Sequence, residues 1–141
     1  MRVVLDTNVL LSALIVKVGK PAQIMSRIGS YEFVTSEEVL AETYKALHGR
    51  HIQKRYPVTT EEIESYIERL RKASTLIQPN IKVAVVKKDP DDNKFLALAK
   101  EVKADYIVSG DSHLTELGEF DGIPILMPAQ YLDLLKSREG R

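Results

Sequence analysis

Strand-like and helix-like patterns alternate along the chain from end to end. Arg2 to Leu5 is a short β-branched run suited to a buried parallel strand. Thr7 to about Ile15 follows it as a helix, with Asp6 at the capping position. A loop over Val16 to Lys20 precedes a second helix that opens on Pro21 and is stopped by Gly29. Tyr31 to Thr35 is the next strand. Ser36 then caps a helix from Glu37 to about His48, with Val39, Leu40, Thr43, Ala46 and Leu47 as its buried stripe. Gly49 to Pro57 reads as a connector. Thr59-Thr60-Glu61-Glu62 has capping-box spacing and starts a helix to about Ser74, whose apolar positions Ile63, Tyr66, Ile67 and Leu70 suit either the core or an interface. Leu76 to Gln78 suits a short strand, and Val83 to Val86 is either an edge strand or a buried loop. After the turn Asp89-Pro90-Asp91, a helix from Asp92 to Lys103 buries Phe95, Leu96, Ala99 and Val102. Tyr106 to Ser109 is a strand, Ser112 to Leu117 a short helix, Ile123 to Leu126 the last strand, and Pro128 starts a final helix through Lys136. Repeated β–α order, without internal repeats or linkers, predicts one domain over residues 1–141. Its fold class is α/β, a three-layer α/β/α sandwich around a parallel sheet.

That architecture changes how the acidic residues are read. In open parallel sheets, groups at the carboxyl ends of strands share one crevice, and ligands bind there. Asp6 and Asp111 each end an apolar run and precede a helix, and each also fits a simple N-cap. Asp92 lies three and four positions before Phe95 and Leu96, on the inward face of its helix. The helix dipole favours a carboxylate there, yet burying it without a partner is costly. Glu42 flanks the buried stripe of its helix, and periodicity alone favours a solvated glutamate there. Four carboxylates in one crevice repel each other unless a cation neutralises them, and an all-oxygen site suits a hard divalent ion, Mg2+ or Mn2+. The pattern implies a metal-dependent phosphodiesterase. Asp89 and Asp91 read as turn residues that raise the local negative potential.

Four segments resemble, in order, the motifs of PIN-domain ribonucleases. Asp6-Thr7-Asn8 after a short N-terminal strand looks like the opening motif, and Ser36-Glu37-Glu38-Val39-Leu40-Ala41-Glu42 is similar to the second. The run from Asp89 to Ala99 resembles the third, in the form of a VapC-like subgroup of toxins from toxin–antitoxin pairs. Ser109-Gly110-Asp111 resembles the fourth, continued by Ser112-His113-Leu114. The resemblance implies that Asp6, Glu42, Asp92 and Asp111 are the catalytic and metal-binding set, with Asn8 and Ser109 as supporting polar groups. It further implies RNA as substrate, products bearing 5′-phosphate and 3′-hydroxyl, a protein antitoxin and a homodimer. The chemistry itself does not need a 2′-hydroxyl and does not select RNA over DNA. An aspartyl-phosphate phosphatase would need a second aspartate two positions after Asp6, where this chain has Asn8. A non-catalytic RNA- or protein-binding domain with a structural ion is compatible with the same carboxylates.

Charge balance then limits how an anionic partner is held. Twenty basic residues offset twenty acidic ones, so local basic patches or bound metal must do it. Arg50, Lys54 and Arg55, with His48, His51 and Tyr56 beside them, form the densest such patch and suit phosphate-backbone contact with Tyr56 as a stacking platform. They equally suit a solvated helix end. Lys17 and Lys20 are weaker candidates, and Lys87 and Lys88 balance the acidic turn. His113 reads as a surface residue within reach of a phosphate. No histidine pair has zinc-site spacing. With no cysteine, disulfides and thiolate chemistry are excluded. With no apolar run long enough for a signal peptide or a span, a cytoplasmic protein without membrane association is expected.

Overall fold

A computed structural model describes residues 1–87 and 90–139 of the chain. Six strands form the sheet: β1 (Arg2–Leu5), β2 (Glu32–Thr35), β3 (Thr75–Leu76), β4 (Tyr106–Val108), β5 (Glu119–Phe120) and β6 (Ile123–Leu126), in the order β3-β2-β1-β4-β6-β5. All neighbours pair in parallel except β5 with β6. The helices are α1 (Thr7–Ile15), α2 (Lys20–Met25), α3 (Glu37–Leu47), α4 (Arg50–Arg55), α5 (Thr60–Ala73), α6 (Asn93–Val102), α7 (Ser112–Thr115) and α8 (Pro128–Glu139). α1 packs against α2 and α3, α3 against α5, and α2 against α8, while α6 lies on β1 and β4. This is the three-layer α/β/α arrangement expected for fully buried strands such as β1, where Val3, Val4 and Leu5 are wholly inaccessible.

The chain lays β2 and β3 to one side of β1, then returns to lay β4 on the other. The sheet therefore reverses its winding between β1 and β4, and the crevice of such a fold opens at that reversal. Register pairs Leu5 with Val108, so the residues that leave these two strands emerge side by side.

Several expectations hold in detail. The Asp6 side chain accepts from the Val9 amide at the start of α1, and Ser36 caps α3 in the same way. Thr59 and Glu62 form the capping box of α5. Ile63, Tyr66, Ile67 and Leu70 of that helix are all buried, and the Tyr66 hydroxyl donates to the Leu10 carbonyl, which assigns this face to the core.

Three elements differ from the sequence pattern, and one open alternative is decided. Residues 50–55 are helical rather than a plain connector, and the Gln53 side chain donates to the Leu47 carbonyl across the break at Gly49. Of the two alternatives for Val83 to Val86, strand or buried loop, the structure has the loop, with Val86 buried. The Asn93 side chain accepts from the Val86 amide and donates to its carbonyl, satisfying the peptide that a strand partner would otherwise have held. The third-motif helix begins one residue later, because Pro90–Asp92 is a 3-10 turn; Asp89 lies outside the described residues. Finally, β5 is an added antiparallel strand. Asp121 and Gly122 both take positive φ, 53° and 80°, the requirement of a two-residue hairpin turn.

Candidate functional site

The reversal point places two hydroxyl and carboxylate groups in direct contact. The Asp6 amide donates to the Val108 carbonyl at 3.1 Å, which carries the pairing of β1 and β4 one step past the strands. Beyond it, the Ser109 hydroxyl donates to Asp6 Oδ2, and the Asp111 amide donates to Ser109 Oγ at 2.9 Å. Asp111 Oδ1 in turn accepts from the His113 amide at 2.8 Å, capping α7. Both first- and fourth-motif aspartates are thus N-caps as well as cleft residues. The two readings of each are not alternatives, because an N-cap carboxylate at a strand end points out over the crevice while one oxygen holds the helix.

Asp6, Glu42, Asp92 and Asp111 line one cleft of about 240 Å³, together with Thr7, Asn8, Ala46, Asp91 and Phe95. Two elements far apart in sequence supply the second pair. Glu42 stands on the flank of α3, half-exposed, and Asp92 sits buried in the 3-10 turn ahead of α6. The structure therefore brings all four acidic positions together. Asn8 also reaches the cleft, and Ser109 lies beneath it, fully buried and bound to Asp6. Arg50, Lys54 and Arg55 do not line the cleft. They are exposed on α4, where the Arg55 guanidinium stands 5.5 Å from the centre of the Tyr56 ring.

Burial dominates the electrostatics of Asp6, which is only 2% exposed. It pushes the carboxyl up to about 6, and repulsion from Asp111 adds to the rise. The bonds from Ser109 and Val9 favour the charged form and oppose it. A site that holds its central carboxylate against this cost fits a divalent cation, whose charge would remove the penalty, and its hard oxygen donors suit Mg2+ or Mn2+.

Two participants carry no clear signal in the sequence. Lys94 lies within the third motif, yet its ammonium reaches across to donate to Glu42 on α3 and is largely buried. Burial holds it below the usual lysine range, with Glu38 acting against the shift. His113 is the other. Residues two apart on a helix do not face one another, but Asp111 is a cap rather than a helical residue, so its side chain folds back over the His113 amide. The ring nitrogen Nδ1 lies 3.6 Å from Asp111 Oδ1.

A family model described as PIN domain matches residues 2–113, and all four acidic positions fall inside it. The chain belongs to the PIN-domain family. The uncharacterized protein MJ1680 of Methanocaldococcus jannaschii is 36% identical over 119 residues, 82% of this chain and 74% of that protein. Among solved structures, the crystal structure of VapBC2 from Rickettsia felis bound to a DNA fragment from their promoter contains a chain of similar fold. It aligns with a TM-score of 0.61 and 13% identity over 90% of this chain and 98% of that one.

The raised Asp6 value fixes a sign. Without metal, folded protein holds this proton more tightly than unfolded protein, so the carboxylate destabilises the fold at neutral pH. That penalty fades as pH falls from about 6 toward the ordinary 3.8. In chelator at pH 7.5, Asp6→Asn, which keeps a capping side chain, should be more stable than wild type by about 1–3 kcal/mol. Urea unfolding should show this gap closing toward pH 4 and Mg2+ or Mn2+ stabilising only the wild type. A less stable Asp6→Asn at pH 7.5 in chelator would refute the burial argument.

Proposed function

We propose that this PIN-domain protein is a metal-dependent endoribonuclease that hydrolyses RNA phosphodiester bonds at the cleft formed by Asp6, Glu42, Asp92 and Asp111. The observation that supports it best is the convergence of four carboxylates from separate elements on one cleft at the sheet's reversal point. A cleft lined so heavily by carboxylates would repel a phosphate diester by itself, so the catalytic set and the metal-binding set are the same residues.

When bound, Mg2+ or Mn2+ would supply Lewis-acid polarisation of the scissile phosphate and a lowered pKa for an attacking water. The chain's own residues do the positioning. Ser109 fixes one oxygen of Asp6 and, through its accepted bond, the backbone of Asp111. Lys94 holds Glu42 in place, so that glutamate keeps one orientation on an otherwise solvated helix flank. Asn8 lines the cleft as a neutral polar group, available to a phosphate oxygen without adding charge. Arg50, Lys54 and Arg55 would contact backbone phosphates outside the cleft, which lengthens the footprint on RNA.

The fold shared with a VapBC2 chain, together with the sequence motifs, supports a toxin role with a small protein antitoxin and a homodimer as partners, acting in the cytoplasm. Among the described residues no helix is long and apolar enough to cross a membrane. Induced expression of the wild type should arrest growth of a bacterial host, whereas Asp92→Asn should not. Equal growth would remove the toxin role, and a monomer mass by light scattering would remove the dimer.

End-labelled single-stranded RNA should be cleaved by purified protein with Mg2+ or Mn2+. Cleavage should stop in chelator and fall by at least about 100-fold in Asp6→Asn or Asp92→Asn. Folded protein that cleaves no RNA with either metal would shift the function to non-catalytic RNA or protein binding around a structural ion. In the same assay, replacing Arg50, Lys54 and Arg55 together by Ala should weaken RNA binding while leaving kcat within about twofold. The slope of log affinity against log salt should flatten by roughly 0.7 for each lost phosphate contact. An unchanged slope would take these residues out of the substrate path.

A further inference from the structure

A histidine stands beside two of the four carboxylates. Asp92, Asp111 and His113 each place one ligand atom within 4.8 Å of the other two, close enough to share one ion. The imidazole Nδ1 is buried and accepts or donates no hydrogen bond among the described residues, while it stands 3.6 Å from Asp111 Oδ1. That distance is too long for a hydrogen bond, and a ring nitrogen shut away from water with no partner loses free energy unless something fills the gap. A cation between the nitrogen and the two carboxylates would do so.

The local fold holds the ring there. Asp111 caps α7 through the His113 amide, and the next residue, Leu114, is fully buried and anchors the short helix to the core. The imidazole does not line the acidic cleft itself but borders a neighbouring hollow with Val85, Val86, Lys87, Glu116 and Leu117, and it meets the cleft at Asp111.

We propose that His113 is a nitrogen ligand of the cleft's metal and sets its selectivity, favouring Mn2+ and softer first-row ions over Mg2+. The inference rests on the metal-dependent reading of the cleft. Mg2+ takes oxygen ligands and holds its waters tightly, whereas imidazole strengthens binding of transition ions in the order Mn2+, Co2+, Ni2+. A site of carboxylates alone would separate these ions less.

The test uses untagged, metal-free protein and metal binding rather than turnover. Pulsed electron paramagnetic resonance of bound Mn2+ should show coupling to one nitrogen in the wild type and none in His113→Ala or His113→Gln. Calorimetric titration should show both variants binding Mn2+ and Co2+ at least about tenfold more weakly, since losing even an outer partner of a ligand costs roughly 10–100-fold. Mg2+ affinity should stay within about threefold. Thermal melts in chelator check that each variant folds, and the nitrogen signal of the wild type needs no variant at all. Mn2+ that binds the wild type without nitrogen coupling, and with equal affinity in the variants, would overturn the role of His113 while leaving the carboxylate site intact. Failure of every divalent ion to bind the wild type would overturn this inference together with the metal-dependent function.

Discussion

The contact on which the site depends is the bond from the Ser109 hydroxyl to the Asp6 carboxylate. It joins the first residues beyond two adjacent parallel strands, and each side of it is fixed by backbone. Asp6 is tied by its amide to Val108, and Ser109 by its amide to Leu126 on the next strand. Three strands therefore meet at one buried hydroxyl–carboxylate pair. The pair also explains why burial of a charged group is tolerated. Sheet pairing of β1 with β4 forces the Asp6 side chain into the reversal point, and the local bonds recover only part of the desolvation cost. Remaining strain of this kind at a cleft is what a bound cation would relieve.

From that pair the rest of the cleft is placed by two different devices. Asp111 follows from Ser109 through two residues of chain and a helix cap, so its position is local. Glu42 and Asp92 arrive through packing: α3 stands against α1, and α6 lies on β1 and β4. Lys94 links those two long-range contributions by joining α6 to Glu42 on α3. Asp6 is thus held by hydrogen bonds at a strand end, and Glu42 by an ion pair from another helix.

Much of this was legible in the residues. Capping patterns at Asp6, Ser36 and Thr59 located three helices to within a residue, because caps are set by neighbouring atoms rather than by distant packing. The β–α alternation gave the architecture, and the inward phase of Asp92 gave its burial. What was hidden depends on contacts across the fold. The helix at Arg50–Arg55 has no buried residue and no apolar stripe, so periodicity had nothing to read. Strand and loop stay open for Val83 to Val86 in the sequence because the partner of the Val86 peptide is a side chain, Asn93. The strand Glu119–Phe120 was readable, since Asp121-Gly122 is a recognised hairpin turn, but two residues are too short for alternation to show. His113 reads as a surface residue on a short helix, and only the cap at Asp111 brings its ring beside that carboxylate.

The pairing of β1 with β4 joins residues about a hundred positions apart, and it has a consequence for the life of the chain on the ribosome. A chain growing from its N-terminus can form β1, α1, β2 and α3 and still lack the wall that carries Ser109 and Asp111. Such long-range parallel pairing also forms late, because loop closure must precede any reward from contact. The cleft is therefore completed only after most of the polypeptide has been made, and a chain ending before Ser109 would carry Asp6, Glu42 and Asp92 but neither Ser109 nor Asp111.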